Sequence, residues 1–306
     1  GYTLSEKEKF FSDAQRITDD LFKVDTFASY LSLFNVYAVF VPSRDSGITD
    51  MRSKNTVYDL YRSPRGSKRG VMPGNRSAIE KALRLAPAPA DYPIIIANDD
   101  FYGGLGGQYA ITTRSLTSGS MVLRHELGHN FGNVGEEYDG GQVYSGANFS
   151  RKGRSIKWQH WIKGNLIPHR ALFLGGDYIW QPLKNNKYEK TYKFPEGNFH
   201  LFLEMSSVGW ESVQDVVVKI NGKPVEYKGL FTKDRSFFRY GLKFYKEDKV
   251  TITVEDPNGD GDDVLAFMNV YAYPDSFDFN QGVIQAFANY NHAGTFVGYR
   301  PTNRTC

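Results

Sequence analysis

The sequence predicts an α/β domain coupled to an all-β sandwich. Three observations carry this reading. At 306 residues the chain exceeds the usual single domain, so one large domain or two moderate ones is expected. Up to residue 171, apolar residues recur at helical spacing behind capping signatures, with short apolar runs between them. From Leu172 to about residue 278 alternation with period two takes over, and no helix signal returns until Gln281.

In chain order, Thr3-Leu4-Ser5-Glu6 is a capping box. It opens a helix on which Phe10, Phe11, Ala14, Ile17 and Leu21 recur at helical spacing. A second helix is expected from Phe27 to Phe34, a buried strand from Val36 to Val41, and a short helix from Val57 to Tyr61. Ser77-Ala78-Ile79-Glu80 is another capping box, whose helix ends before Pro87. Ile94–Ala97 reads as a central strand. The glycine-rich run from Gly103 then alternates through Tyr109, Ile111 and Thr113, so Gln108–Thr113 reads as an edge strand. In the second region Phe199, Leu201, Leu203 and Met205 share one strand face, and Val250, Ile252 and Val254 another. Asn221-Gly222 is the turn pair of a tight hairpin. About one hundred residues of short strands make a β-sandwich the natural reading.

The chemistry is concentrated in His125-Glu126-Leu127-Gly128-His129. Two histidines four residues apart lie about one turn apart on one helix face, so both rings reach one metal. Glu126, beside the first histidine, is placed to take a proton from water at that metal. This is the arrangement of a zinc metallopeptidase. The same five residues also occur by chance as an ordinary helix with solvated histidines. Here Met121, Val122 and Leu123 mark a buried helix start, Gly132 can take the left-handed turn that ends the helix, and Glu136 and Glu137 follow within reach. Two of the chain's six histidines are spent in this motif. A catalytic site needs a third protein ligand and an open fourth position. Glu136 is the nearest candidate, with Glu137 and Asp139 next; a distant acid, Glu189 or Glu196, is the alternative, weakened because its region reads as strands.

The order of motifs resembles the zinc peptidase family named after a bacterial immunoglobulin A endopeptidase. The resemblance rests on Gly1-Tyr2-Thr3, Val41-Pro42-Ser43 with Asp45-Ser46-Gly47, Asn55-Thr56, and Tyr102-Gly103-Gly104-Leu105-Gly106-Gly107. It continues through the histidine motif to Gly135-Glu136-Glu137-Tyr138, and returns in Gly298-Tyr299-Arg300-Pro301-Thr302 with Cys306. It covers residues 1 to about 168 and again about 282 to 306. Two departures stand out: members often have aspartate where Glu136 stands, and the methionine of the family's turn would follow Cys306. The metzincins' third ligand falls ten residues after the first histidine, where this chain has Gly135, which cannot ligate. The resemblance implies a metzincin-like zincin catalytic domain over 1–171, a β-sandwich inserted over 172–278, and a return segment over 279–306. It also implies that the strand before the metal helix pairs with substrate backbone, making Gly106, Gly107, Gln108, Tyr109 and Ala110 the expected substrate contacts. Tyr299 or Tyr138 is the implied oxyanion donor.

Composition fits a folded extracellular protein. Hydrophobic residues make up 41% and aromatics 15%, with 22 Phe and 20 Tyr, ample for a core. A net charge of +3 without a basic run gives no case for nucleic acid or a membrane surface. No stretch approaches the ~18 apolar residues of a membrane helix. A start at Gly1 reads as a mature or cut product. Asn75-Arg76-Ser77, Asn148-Phe149-Ser150 and Asn303-Arg304-Thr305 are N-glycosylation acceptor triplets, a mild argument for secretion. The lone Cys306 excludes an internal disulfide framework. The expected partner is a protein or glycoprotein substrate, met by a monomer.

Asp256, Asn258, Asp260 and Asp262 place oxygen ligands at every second residue around Gly259 and Gly261, like the first half of a calcium loop. Phe267 stands where the closing glutamate would be, so an acidic hairpin tip is the competing reading. Two function classes follow: a secreted zinc endopeptidase, or a zincin-scaffold binding protein that recognises glycans or proteins through its sandwich. An intact His125, Glu126 and His129 favours the first.

Overall fold

The computed structural model describes residues 1–23, 25–50, 52–62, 69–135, 146–152, 155–162, 169–170, 172–177, 179–184, 187–194, 196–197, 199–231, 234–274, 286–290 and 296–301. The fold is mostly β-sheet with few helices, and it divides into two compact units, Gly1–Asn133 and Val134–Cys306. Among the described residues, no helix is long and apolar enough to cross a membrane.

The first unit holds helices α1 (Lys7–Lys23), α2 (Asp25–Ala28), α3 (Arg76–Leu83) and α4 (Gly119–Gly132). Its strands are β1 (Leu60–Arg62), β2 (Val71–Pro73), β3 (Ile94–Ala97), β4 (Gly104–Leu105) and β5 (Ala110–Thr113). The Thr3 amide donates to Glu6 Oε2 at 2.9 Å, closing the expected capping box ahead of α1. Ile17 and Leu21 of α1 pack with Phe27, Ala110, Leu123 and Leu127, so one small core joins α1, β5 and α4. A second cluster gathers Leu60, Val71, Ile79, Ile95 and Ile111.

Several local expectations are corrected. Of the expected Phe27–Phe34 helix only the first two residues are α-helical, at the end of α2, and a 3-10 turn follows at Leu31–Leu33. Residues 36–41 pair with no described strand, and Val36 and Tyr37 stand 55% and 51% exposed. The expected helix at Val57–Tyr61 gives way to β1, because Asp59 sits at φ 48° and breaks any helix, while Leu60 and Arg62 alternate inward. The cap of α3 is Asn75, whose Oδ1 accepts from the Ala78 amide at 3.1 Å, not Ser77. The three-stranded sheet runs β3-β5-β4, with β3 parallel and β4 antiparallel to β5. Ile94–Ala97 is therefore an edge and β5 the centre, the reverse of the expected order; all four β5 residues are buried.

The second unit contains β6 (His169–Arg170), β7 (Leu172–Asp177), β8 (Gln181–Pro182), β9 (Lys187–Lys193), β10 (Phe199–Val208) and β11 (Val217–Ile220). After these come β12 (Lys223–Pro224), β13 (Phe237–Tyr245), β14 (Lys249–Glu255), β15 (Val264–Pro274), β16 (Ala286–Tyr290) and β17 (Phe296–Pro301). One sheet runs β13-β10-β15-β7 with β8 on β15; another runs β12-β11-β14-β9. Leu201, Leu203 and Met205 join Val250, Ile252 and Val254 in one buried cluster, a sandwich-like packing of these two alternating faces. The β11–β12 hairpin turns at Asn221-Gly222, both at positive φ (48° and 76°). A third sheet runs β17-β16-β6, in which Phe287 and Ala288 pair in parallel with His169 and Arg170. The two chain stretches that flank the sandwich strands thus lie side by side.

Candidate metal centre

Helix α4 owes its rotation to two leucines. Leu123 and Leu127, four residues apart, are buried to 2% and 1% in the core shared with α1 and β5. Two residues on from each lies about 200° round the helix, which turns His125 and His129 away from the core, with Glu126 beside them; all three are half-buried. Arg124 fixes the same rotation by donating to Asp20 Oδ2 at 3.1 Å on α1.

The two histidine Nε2 atoms stand 3.2 Å apart, with ring planes at 82°. Two nitrogens offering lone pairs to one tetrahedral zinc at ~2.0–2.1 Å would stand about 3.3–3.4 Å apart. The spacing therefore fits the metal. One ligand atom each from His125, Glu126 and His129 lies within 4.8 Å of the others, so the carboxylate is beside the same point.

A backbone edge reaches this carboxylate. Gly104 packs against Val122 and the Ile111 carbonyl, and Gly106 against Glu126; a Cβ at either glycine would overlap these atoms. Arg62, 2% exposed, holds the preceding turn by donating to the carbonyls of Tyr102 (3.0 Å) and Phe101 (3.2 Å) and pairing with Asp99 at 3.3 Å. Nothing in the sequence around Arg62 signalled that role, because its partners are backbone carbonyls.

The expected substrate segment is only partly available. Gly106 and Gly107 lie in the loop past β4. Gln108 Nε2 donates to Glu80 at 3.0 Å, and Tyr109, 4% exposed, donates its hydroxyl to the same carboxylate; burial and that carboxylate raise the Tyr109 pKa. Ala110 begins a strand flanked on both sides by β3 and β4. Gln108–Thr113 is thus not an edge strand. The outer position belongs to β4, which is bridged at Gly104 to Gly70; past that bridge no described strand covers it.

Gly132 stays helical, and the left-handed turn falls on Asn133 at φ 48°, ψ 37°, a conformation asparagine tolerates. Val134 then bridges Gly146, while Gly135 and Asn148 exchange two hydrogen bonds at 2.7 and 2.9 Å. Glu136, Glu137, Tyr138 and Asp139 lie outside the described residues. Tyr299 is on β17 opposite Ala288. Of the distant alternatives, Glu189 is ion-paired with Lys187 at 2.8 Å and Glu196 is exposed.

A sequence profile of the family described as IgA Peptidase M64 matches residues 1–168, more than half of the 306. The chain belongs to this family. At family level that makes it a zinc metallopeptidase, with zinc as the expected metal and proteins as substrates. The match ends before the sandwich strands and does not include the 282–306 segment. No curated protein matches the chain. One solved structure, the CBM36-1 domain of a multidomain xylanase from the hindgut metagenome of Trinervitermes trinervoides, is 18% identical over 33% of this chain and 94% of its own. Its TM-score of 0.22 is too low to relate the folds.

The second expected ion site is rearranged. Asp256 and Asp260 group with Asp263, which was not foreseen, while Asp262 groups with Glu211 and Asp260. Asn258 spends its amide on Asp215 (3.2 Å) and Asp260 (3.0 Å).

Proposed function

We propose that the chain is a secreted zinc endopeptidase that hydrolyses peptide bonds of proteins or glycoproteins. The observation that carries this is the 3.2 Å spacing of the His125 and His129 Nε2 atoms with the Glu126 carboxylate beside them. His125, His129 and Glu136 would hold the zinc. When bound, zinc would polarise the scissile carbonyl and acidify water. Glu126 removes a proton from the attacking water as its oxygen bonds the carbonyl carbon, then delivers it to the leaving amine nitrogen as the C–N bond breaks. In this reading substrate backbone lies along the outer side of β4, at Leu105–Gly107, rather than along 108–113. Tyr299 is the oxyanion donor. The catalytic domain is a zincin of α/β type over 1–171, the sandwich is inserted over 172–278, and 279–306 completes the catalytic part. The side-by-side placement of β6 and β16 supports the insertion, since it brings the flanks of the sandwich together.

The deciding experiment compares wild type with Glu126→Ala on unfolded and glycosylated proteins. The variant should keep about one zinc and lose roughly 10²–10⁴-fold of the cleavage rate. Cleavage at the wild-type rate by the variant would sink the proposal. Glu136→Gln should weaken zinc binding more than Glu137→Gln; the reverse ranking would move the third ligand to Glu137.

A further inference from the structure

We propose that the 256–263 turn of the sandwich is a calcium site whose ligands are Asp256, Asp260 and Asp263. One carboxylate oxygen from each lies within 4.8 Å of the others, a spread that oxygens around one calcium at 2.3–2.6 Å span. Asp263 sets this cluster apart from an ordinary acidic hairpin tip. It is 1% exposed, and neither of its carboxylate oxygens meets a hydrogen-bond donor. Asp256 Oδ2 is likewise buried and without a donor. A buried carboxylate normally has donors or a counter-charge, because desolvating it uncompensated is costly.

Among the described residues no cation is ion-paired with these carboxylates. Glu211, Asp215 and Asp262 add further negative charge, and among the described residues none of the six carboxylates is in an ion pair. Lys184, exposed, lies over Gly261 and is ion-paired with none of them. Asp215 is satisfied separately, accepting from the Glu211 and Ser212 amides at 2.6 and 2.7 Å and the Ser212 hydroxyl at 2.8 Å. The Gly259 amide donates to Asp256 Oδ1 at 2.6 Å, which leaves Oδ2 of that residue for the cation. An all-oxygen donor set carried on a short turn suits calcium, which accepts irregular coordination, better than magnesium, which demands a near-ideal octahedron. Asp263 opens the 11-residue strand β15 one residue later, so the ion would tie the turn to the middle of the sandwich.

The test uses the full chain, stripped on chelating resin and re-supplied with zinc, and titrated with calcium chloride to about 5 mM, above the weakest extracellular sites. Calcium should raise the melting temperature, and magnesium should raise it less. Terbium in place of calcium should luminesce on excitation through Trp210, the neighbour of Glu211. Asp263→Asn should weaken calcium about tenfold or more, since ligand charge sets affinity in such sites. It should do so without lowering the melting temperature of the calcium-free protein, because the carboxyl it replaces has no hydrogen-bond partner to lose. Asp260→Asn, at an exposed position, should weaken calcium similarly and decides the matter should Asp263→Asn fail to fold. His129→Ala should leave the calcium response unchanged, which separates this site from the zinc site. No response to calcium in wild type, a larger response to magnesium, or an unaltered response in both asparagine variants would overturn the proposal.

Discussion

Helix α4 and the 256–263 turn both gather ionisable side chains, and they do so by opposite means. On α4 the 3.6-residue period stacks His125 and His129, the helix is anchored by apolar residues behind them, and the group stays half-buried with Glu126 beside open backbone. In the turn, charges of one sign are folded against the start of a central strand, and one of them is closed off from solvent. A group that must exchange a proton with a substrate needs access; a group that only balances charge can be enclosed. The contrast shows why a cluster of acids and a pair of histidines should not be read by the same criterion: exposure and partners, not proximity, separate them.

The comparison breaks most readily at the first site. His129→Ala should take zinc from about one per chain to none by elemental analysis, and full retention would remove the site from α4. Next in size, Ile252→Ala in the fully buried sandwich cluster should destabilise the second unit by ~2–5 kcal/mol in denaturant melts. The zinc content per folded chain should not change, since Ile252 lies in the sandwich cluster and His125 and His129 on α4; loss of zinc in that variant would tie metal retention to the sandwich core. Asn148→Ala leaves the Gly135 amide and carbonyl without partners and should cost ~1–3 kcal/mol. An unchanged melting temperature would show that water replaces the side chain there.

A further contrast concerns acid. Burial alone would raise the Glu6 carboxyl, but hydrogen bonds from the Thr3 amide, Ser46, Lys9 and Asn98 outweigh it and bring the pKa down to about 2. Because the folded value lies below the unfolded one, this contribution is present above pH ~4.5 and drains away as pH falls toward 2. Glu6→Gln should flatten the pH dependence of the first unit's stability across that window. An identical acid limb in wild type and variant would assign the loss to other carboxylates.

What was legible in the sequence is what local geometry decides. The motif on α4, the capping box at Thr3 and the Asn221-Gly222 turn depend on residues within four positions of one another. Strand order does not. The apolar run Ile94–Ala97 and the alternation in Gln108–Thr113 marked strands but could not say which lay in the middle, because β5 takes its neighbours from residues 94–97 and 104–105. The same limit hid Arg62, whose partners are carbonyls about forty residues away. Asp263 was passed over because the every-second-residue pattern drew attention to Asp262, whereas the backbone turn sends the next carboxylate inward. Asn133 rather than Gly132 took the helix-ending turn because two residues competent for it stand side by side.

The buried clamp of Asn148 on Gly135 also bears on how the chain is made. Asn148-Phe149-Ser150 is an acceptor triplet, yet Asn148 is 6% exposed and its amide nitrogen is already donating to Gly135. A glycosylation machinery could modify it only on the nascent, unfolded chain, and a sugar there would forbid the clamp. In a host that glycosylates, transfer and folding would compete for one nitrogen, and the winners would separate into two populations: unmodified chains that fold, and modified ones that do not. Mass spectrometry of the Asn148 peptide in soluble and insoluble fractions would read that race directly; a glycan on soluble, folded protein would show that the clamp is dispensable.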